Sequence, residues 1–333
     1  MISKFLETLY TKVFINIIVK ATSSEVYVEI CSKNGVESGD HSSFKTTSIN
    51  SEMFEYINHY IKQSPFYYVS ILDKSPSQGA LPTCDSDEYS KYIQSTSIET
   101  VCKDKKWISY TERSEIKDLK YEYRSIGLDF IFSPFNILND FFKDKTDSEL
   151  AIFILVEDKY ISLAVFNHTE MVYAELIDMH KEELEEDHEL IDSTLDDDLL
   201  LEIDEVDLED IEIDDDDSLE DFSDIEDLDT TEDIEEFAEV QEEEEAPVDK
   251  EEEESFDGMN EDYERFIMVQ NSINNFYKDD RFESEFLESI YVADSVGVSS
   301  DLKKYFEEEM FLNVVVRKMD LLEEMSKMAR DEL

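Results

Sequence analysis

Glycine and proline are scarce in this chain: six and five in 333 residues. So is base. Lys and Arg number 29 against 87 Asp and Glu, a formal net charge of −58. Phosphate would be repelled by such a chain, which argues against direct binding of nucleic acid or anionic lipid. The three cysteines, Cys31, Cys84 and Cys102, stand far apart without a CxxC, so neither a disulfide framework nor a zinc site is expected. No apolar run approaches the length of a membrane span, and the start lacks a charged segment leading into an apolar core. A soluble cytoplasmic protein without direct membrane insertion is expected. The histidines, at 41, 59, 168, 180 and 188, are scattered and show no metal-ligand spacing. GxSxG and GxxxxGK[ST] are missing. No catalytic residue, metal or cofactor is expected.

What is present is acid, and it is concentrated. Between Glu182 and Glu254 there are 41 Asp or Glu and one base, Lys250. Taking this net −40 from −58 leaves −18 for the other 260 residues, an ordinary acidic balance. The run should resist compaction and act as a solvated spacer. Leu219, Phe222, Ile225 and Leu228 recur in it at three-residue steps, which also suits a stripe that becomes helical on a partner. A calcium loop is not expected, because no Asp-rich stretch carries the loop glycine and terminal Glu.

On either side the chain reads as folded. Ile2, Phe5, Leu6, Leu9, Tyr10 and Val13 share one helical face, which predicts a short N-terminal helix packed on the body. Strands are expected over 14–20 and 25–32, with a third near 43–47. A helix follows over 49–63, capped by Asn50 or Ser51 and stopped by Pro65, then a buried strand over 66–72. Residues 73–84 read as a loop, and a polar region runs on to about 120. A short strand broken at Pro134 precedes a helix ending near 142. Three more strands are expected over 149–156, 160–166 and 170–177. Beyond the acidic run come a helix over 261–277 with Tyr263, Phe266, Ile267, Ile273 and Phe276 inward, a strand over 287–293, a helix over 300–310, a strand over 313–318 and a final amphipathic helix.

Both parts therefore run strand-strand-strand-helix-strand, and the second adds a helix and a strand. That duplication resembles the α/β actin-like (ribonuclease H-like) ATPase fold. LESIYVADSVGVSSDLKKYFEEEMFLNVVV and AIFILVEDKYISLAVFNHTEMVYAEL resemble the closing and triple-strand segments of the PilM family and of the GspL cytoplasmic domain. The resemblance implies a two-lobed fold interrupted by a disordered acidic insertion. Its parts would be an N-terminal lobe over 1–148, a second lobe over 149–179 and 259–333, and the insertion over 180–258.

The family's nucleotide site implies glycines at two phosphate-facing hairpin turns, so that backbone amides can approach closely. The first turn of this chain has neither Asp nor Gly, and Glu157 and Asp158 stand at the second. Asp294 and Ser295 replace the family's Gly-Gly. A degenerate cleft without ATP is expected, in a pseudo-ATPase rather than an enzyme. The resemblance then implies a scaffold that binds the cytoplasmic tail of a single-span inner-membrane PilN-like partner, with ring-forming self-association as a further expectation. Such a scaffold would sit at the inner-membrane face of a type IV pilus, a type II secretion system or a flagellar motor with pilus-derived parts. Two rivals stay open: a free acidic regulator that mimics nucleic acid for a basic partner, and an ATPase with an unusual site. For the partner surface, Pro76, Gln78, Gly79, Leu81 and Pro82 are the candidates, a stiff loop directly after a strand, with Gln78 offering hydrogen bonds and Leu81 an apolar anchor.

Overall fold

The computed structural model describes residues 10–94, 97–146, 150–179, 256–279, 281–282 and 286–333, the first five residues of the helix at 256 by backbone alone. Two five-stranded sheets share one topology. The first orders its strands β3-β2-β1-β4-β8, and the second β11-β10-β9-β12-β13. In each, an antiparallel triple (β1 Lys12–Val19, β2 Ser24–Ser32, β3 Gly35–Phe44; β9 Ala151–Val156, β10 Tyr160–Asn167, β11 Glu170–Asp178) is extended by two parallel strands. These are β4 (Phe66–Leu72) and β8 (Phe130–Phe132) in the first sheet, β12 (Ser289–Asp294) and β13 (Asn313–Lys318) in the second. This is the actin-like, ribonuclease H-like two-lobed α/β fold.

Helices form where the sequence supplies both a stripe and a cap. α1 (Ser51–Ile61) begins with Asn50 accepting from the Met53 amide at 2.8 Å and buries Met53 and Ile57. α3 (Pro134–Phe141) starts with Pro at its first position and Ser133 as cap. The others are α2 (Arg113–Glu122), α4 (Phe256–Lys278), α5 (Ser300–Glu309) and α6 (Leu321–Asp331). No helix among the described residues is long and apolar enough to cross a membrane.

Alternation along the central strands divides the core into layers. Val13, Ile15 and Ile17 face α1, while Phe14 and Ile18 face the other way. In the second sheet Ile152 and Ile154 face α4 and α5, while Phe153 and Leu155 face inward. The middle layer holds Phe135 and Leu138 of α3 with Leu322 and Met325 of α6. The two helices are exchanged. α3 follows the first sheet but packs on β9 and β10, and α6 follows the second but packs on β1 and β4. That exchange binds the lobes into one body and brings the C-terminal ends of β4 and β12 to a common cleft.

Several expectations need correction. β1 begins at Lys12, so the face read through Val13 is not one helix, and residues 1–9 lie outside the described ones. The third strand runs 35–44 rather than 43–47, as a nearly all-polar edge strand without the alternation that would betray it. The loop and polar region contain a second small sheet, β5-β7-β6 (β5 Gly79–Leu81, β6 Ile98–Lys103, β7 Trp107–Glu112), and α2. Here Cys84 and Cys102 are disulfide-bonded. Pairing of β5 and β6 with opposite sides of β7 draws the two together across 18 positions that looked unrelated in the sequence. Tyr263 is 47% exposed, at the flank of α4 against the ring of Tyr305 rather than fully inward. The acidic run and its Leu219–Leu228 stripe lie outside the described residues.

Candidate functional site: the cleft between the lobes

In open parallel sheets, ligand sites gather outside the carboxyl ends of the strands. Here that place is a cavity of about 140 Å³ whose walls include Lys20, Glu25, Lys74, Glu157, Asp158 and Ser295. The β1–β2 turn leaves from Lys20 and closes with the Lys20 amide on Ser23 O at 2.7 Å. The β9–β10 turn holds Glu157, whose amide donates to Tyr160 O at 3.0 Å.

The cations of this cleft are already engaged. Lys74, just past the end of β4, places Nζ 2.7 Å from Glu157 Oε2. Lys20 reaches Glu25 at 2.8 Å and Asp158 of the opposite turn at 3.8 Å. Burial pushes the Glu157 carboxyl above the usual carboxylate range, and Lys74 pulls against it. For Lys20, burial works to lower the pKa. The bond to Glu25 and the charges of Asp158 and Glu25 outweigh it and hold the ammonium above the ordinary lysine value.

Asp294 and Ser295 are also engaged. Asp294 is buried at the end of β12, and its Oδ1 accepts from the amides of Val296 at 3.1 Å, Gly297 at 2.7 Å and Val298 at 3.0 Å. The amides that a ligand's anionic groups could have used are filled by the protein's own carboxylate. Ser295 Oγ donates to Val156 O at 2.6 Å and stitches β12 to β9 at the cleft floor. Beyond this turn lies a second opening of about 290 Å³, lined by Asp158, Glu261, Asp262, Arg265, Gly297 and Ser299. Its one guanidinium is committed to Asp262 at 2.6 Å and Glu261 at 2.9 Å, and Asp262 also takes the Ser299 amide at 2.7 Å.

The candidate docking loop does not present the groups proposed for it. Gln78 is buried, with Nε2 donating to Asp73 O at 2.7 Å, and Leu81 is buried in β5. Gly79 lies close under Tyr110, and a Cβ there would meet Tyr110 Oη at 2.6 Å and push that ring aside. Pro76 is exposed and Pro82 half-buried. The loop is a structural joint between β4 and the small sheet, tied by Gln78 to Asp73 and by β5 to β7; a three-residue strand shows no alternation, so Leu81 looked homeless in the sequence. Glu157, Asp158 and Ser295 line one cavity, and Asp294 stands beside Ser295 as the last residue of β12. Lys20 and Lys74 were missed. Their positions just beyond strand ends were the available signal.

Three solved structures with this architecture are similar in fold. A Bacteroides thetaiotaomicron protein described as having an actin-like ATPase fold and unknown function aligns at 10% identity, covering 97% of each chain, with a TM-score of 0.46. A PilM–PilN type IV pilus biogenesis complex aligns at 10% identity over 91% of this chain and 87% of that one, TM-score 0.46. MreB 5 of Spiroplasma citri, bound to AMPPNP, aligns at 10% identity over 96% of each, TM-score 0.43. These likenesses concern the fold alone. No curated protein matches the chain as a sequence relative. Residues 10–139 match a domain of unknown function, DUF8569. Residues 152–333, more than half of the chain, match another, DUF8341, and the chain belongs to that family of unknown function.

Proposed function

We propose that the protein is a non-catalytic, PilM-like adaptor that binds the cytoplasmic tail of a single-span inner-membrane partner and helps assemble an envelope-spanning machine. In this reading the cleft is a fixed joint. Support for it comes from the ion pairs that cross the cleft. Lys74 with Glu157 and Lys20 with Asp158 join the lobes where a triphosphate would lie, and Asp294 fills the amides beside them. About 140 Å³ is also small against the roughly 300–1,000 Å³ of typical ligand pockets. The adaptor half of the proposal rests on the resemblance of residues 151–176 and 287–316 to PilM-family segments.

Two measurements test it. Calorimetry with millimolar Mg-ATP should give no heat of binding, and a saturable micromolar isotherm would overturn the fixed-joint reading. Affinity purification from solubilised envelopes should recover a single-span protein whose binding is lost when its cytoplasmic tail is removed. Recovery of basic soluble proteins instead would favour the acidic regulator.

A further inference from the structure

We infer a docking surface at the outer corner of the second sheet, where β12 and β13 begin, for a partner segment that is extended, apolar on one side and rich in Lys or Arg. The inference rests on the adaptor reading and names a surface and a partner chemistry for it. Phe286 is 73% exposed and Phe311 83% exposed. They lie three residues before Ser289 and two before Asn313, which pair in register, so both leave the same end of adjacent parallel strands. Glu288 O accepts the Asn313 amide at 2.8 Å between them. Tyr277, also exposed, joins the corner by accepting the Leu287 amide at 3.0 Å. Isolated exposed apolar residues are ordinary, but aromatic ones gathered at one spot mark interaction sites.

Phe311 carries a second oddity. It follows the C-cap of α5 with φ +56°, the left-handed position that helix ends normally give to glycine. A bulky aromatic there takes on backbone strain and, in the free protein, leaves its ring in water. The left-handed turn itself caps the helix, with the Leu312 amide donating to Phe306 O at 3.2 Å, but neither the bulk of the side chain nor its exposure serves the fold. Both make sense if the ring is an anchor for something else.

Charge and hydrogen bonding state what that something is. The last turn of α5 carries Glu307, Glu308 and Glu309 and no base, although the carbonyl end of a helix favours cations. Glu307 is met by Lys303 at 3.5 Å, whereas Glu308, Glu309 and the exposed Glu288 have no ion pair among the described residues. A Lys- or Arg-bearing segment would relieve this corner, while an acidic one would be repelled. Among the described residues β13 is an edge strand, bonded to β12 alone, with Val315 exposed along it. An added strand could take up its free backbone groups and lay alternate apolar side chains against Phe311 and Val315.

The test uses the full chain and a fluorescein-labelled peptide of alternating lysine and valine, with a glutamate–valine peptide as control, read by anisotropy. Phe286→Ser with Phe311→Ser keeps the net charge, so attraction by the acidic run survives it. The expected result is a loss of roughly tenfold or more in affinity at an unchanged melting temperature, with slowed amide exchange in β13 when the peptide binds the parent. Equal affinity of parent and variant would overturn the surface, as would failure of the parent to bind. The adaptor reading would still stand or fall separately, on recovery of a single-span envelope protein. Should the double Ser variant melt early, Glu308→Lys with Glu309→Lys takes its place. It should weaken the peptide more than Glu52→Lys with Glu55→Lys on α1, which alters net charge equally. Equal weakening would also overturn the surface.

Discussion

Lys74 and Glu157 meet at 2.7 Å across the cleft, one from the end of β4 in the first sheet and one from the β9–β10 turn of the second. Glu157 is fully buried, so the pair has removed a carboxylate from water and depends on its partner. Lys74→Ala should therefore destabilise the fold by about 3 kcal/mol or more at neutral pH, because it strands the charge. Lys74→Met combined with Glu157→Gln should recover most of that loss. Urea melts of the three variants would measure it, and a double variant no better than the single would count against the pair.

The same carboxyl gives a pH signature. Its folded pKa is raised above the ordinary value, so the folded protein holds this proton to higher pH than the unfolded chain does. Stability from the group is therefore full below the ordinary carboxylate range of about 4 and is lost as pH climbs from there through the folded value. The many surface carboxylates also titrate, so the useful quantity is parent minus Glu157→Gln. That difference should move against the parent as pH rises from about 4 through the raised folded value. A flat difference would mean that Glu157 ionises as freely in the fold as outside it.

Asp294 supports the opposite wall. Asp294→Ala leaves the amides of Val296, Gly297 and Val298 without their acceptor, at a cost of about 1–3 kcal/mol. Asp294→Asn keeps an oxygen in place and should lose less. In hydrogen exchange, amides 296–298 should open first in the Ala variant while β12 keeps its protection.

Two arginines give a contrast in magnitude. Arg330 of α6 bonds Glu29 on β2, a buried carboxylate that also accepts from Cys31 Sγ at 3.1 Å. Arg317 of β13 forks onto Asp144 at 2.8 and 2.9 Å, but that carboxylate is more than half exposed. Arg330→Ala should cost about 3 kcal/mol, since it leaves Glu29 buried without its cation. Arg317→Ala should cost under about 1 kcal/mol. Similar losses for both would mean that burial of Glu29 is not what decides.

The sequence revealed the fold wherever burial imposed a continuous apolar run or a helical period. KVFINIIV and AIFILV are buried on both faces, and Asn50, Ser133 and Pro134 mark helix starts, so both sheets and their helices could be read in order. The period failed at the edges and in the small sheet. β3 is solvated on nearly every residue, and β5 is three residues long, so neither imposes alternation. The pairing of Cys84 with Cys102 depends on that unseen sheet. At the cleft, the carboxylates were legible because they stand where the resemblance implies glycine. The lysines that answer them were not, because a lone Lys after a strand looks like any solvated residue. Gln78 and Leu81 misled for the opposite reason: a polar and an apolar side chain in a Pro-containing stretch look available, yet Asp73 O takes Gln78 and Leu81 is buried in β5.

The last prediction concerns the acidic run itself. Asp178, where β11 ends, pairs with Lys159 at 3.4 Å, and the neighbouring Asp158 lines one cavity with Glu261 and Asp262 near the start of α4. The chain thus leaves the second lobe and re-enters it at the same end of the sheet, so a short connection should span the gap. β11 and α4 contact each other directly, through Tyr173 on Phe276 and Ser272 on Glu175. Loop entropy grows only with the logarithm of length, so removing a long tract gains little and loses little. Deleting residues 182–254 and joining the ends with a flexible linker should leave cooperative unfolding intact. Its midpoint should fall within a few degrees of the parent's, and relief of self-repulsion would tend to raise it. Loss of cooperative melting would show that residues 182–254 carry part of the fold.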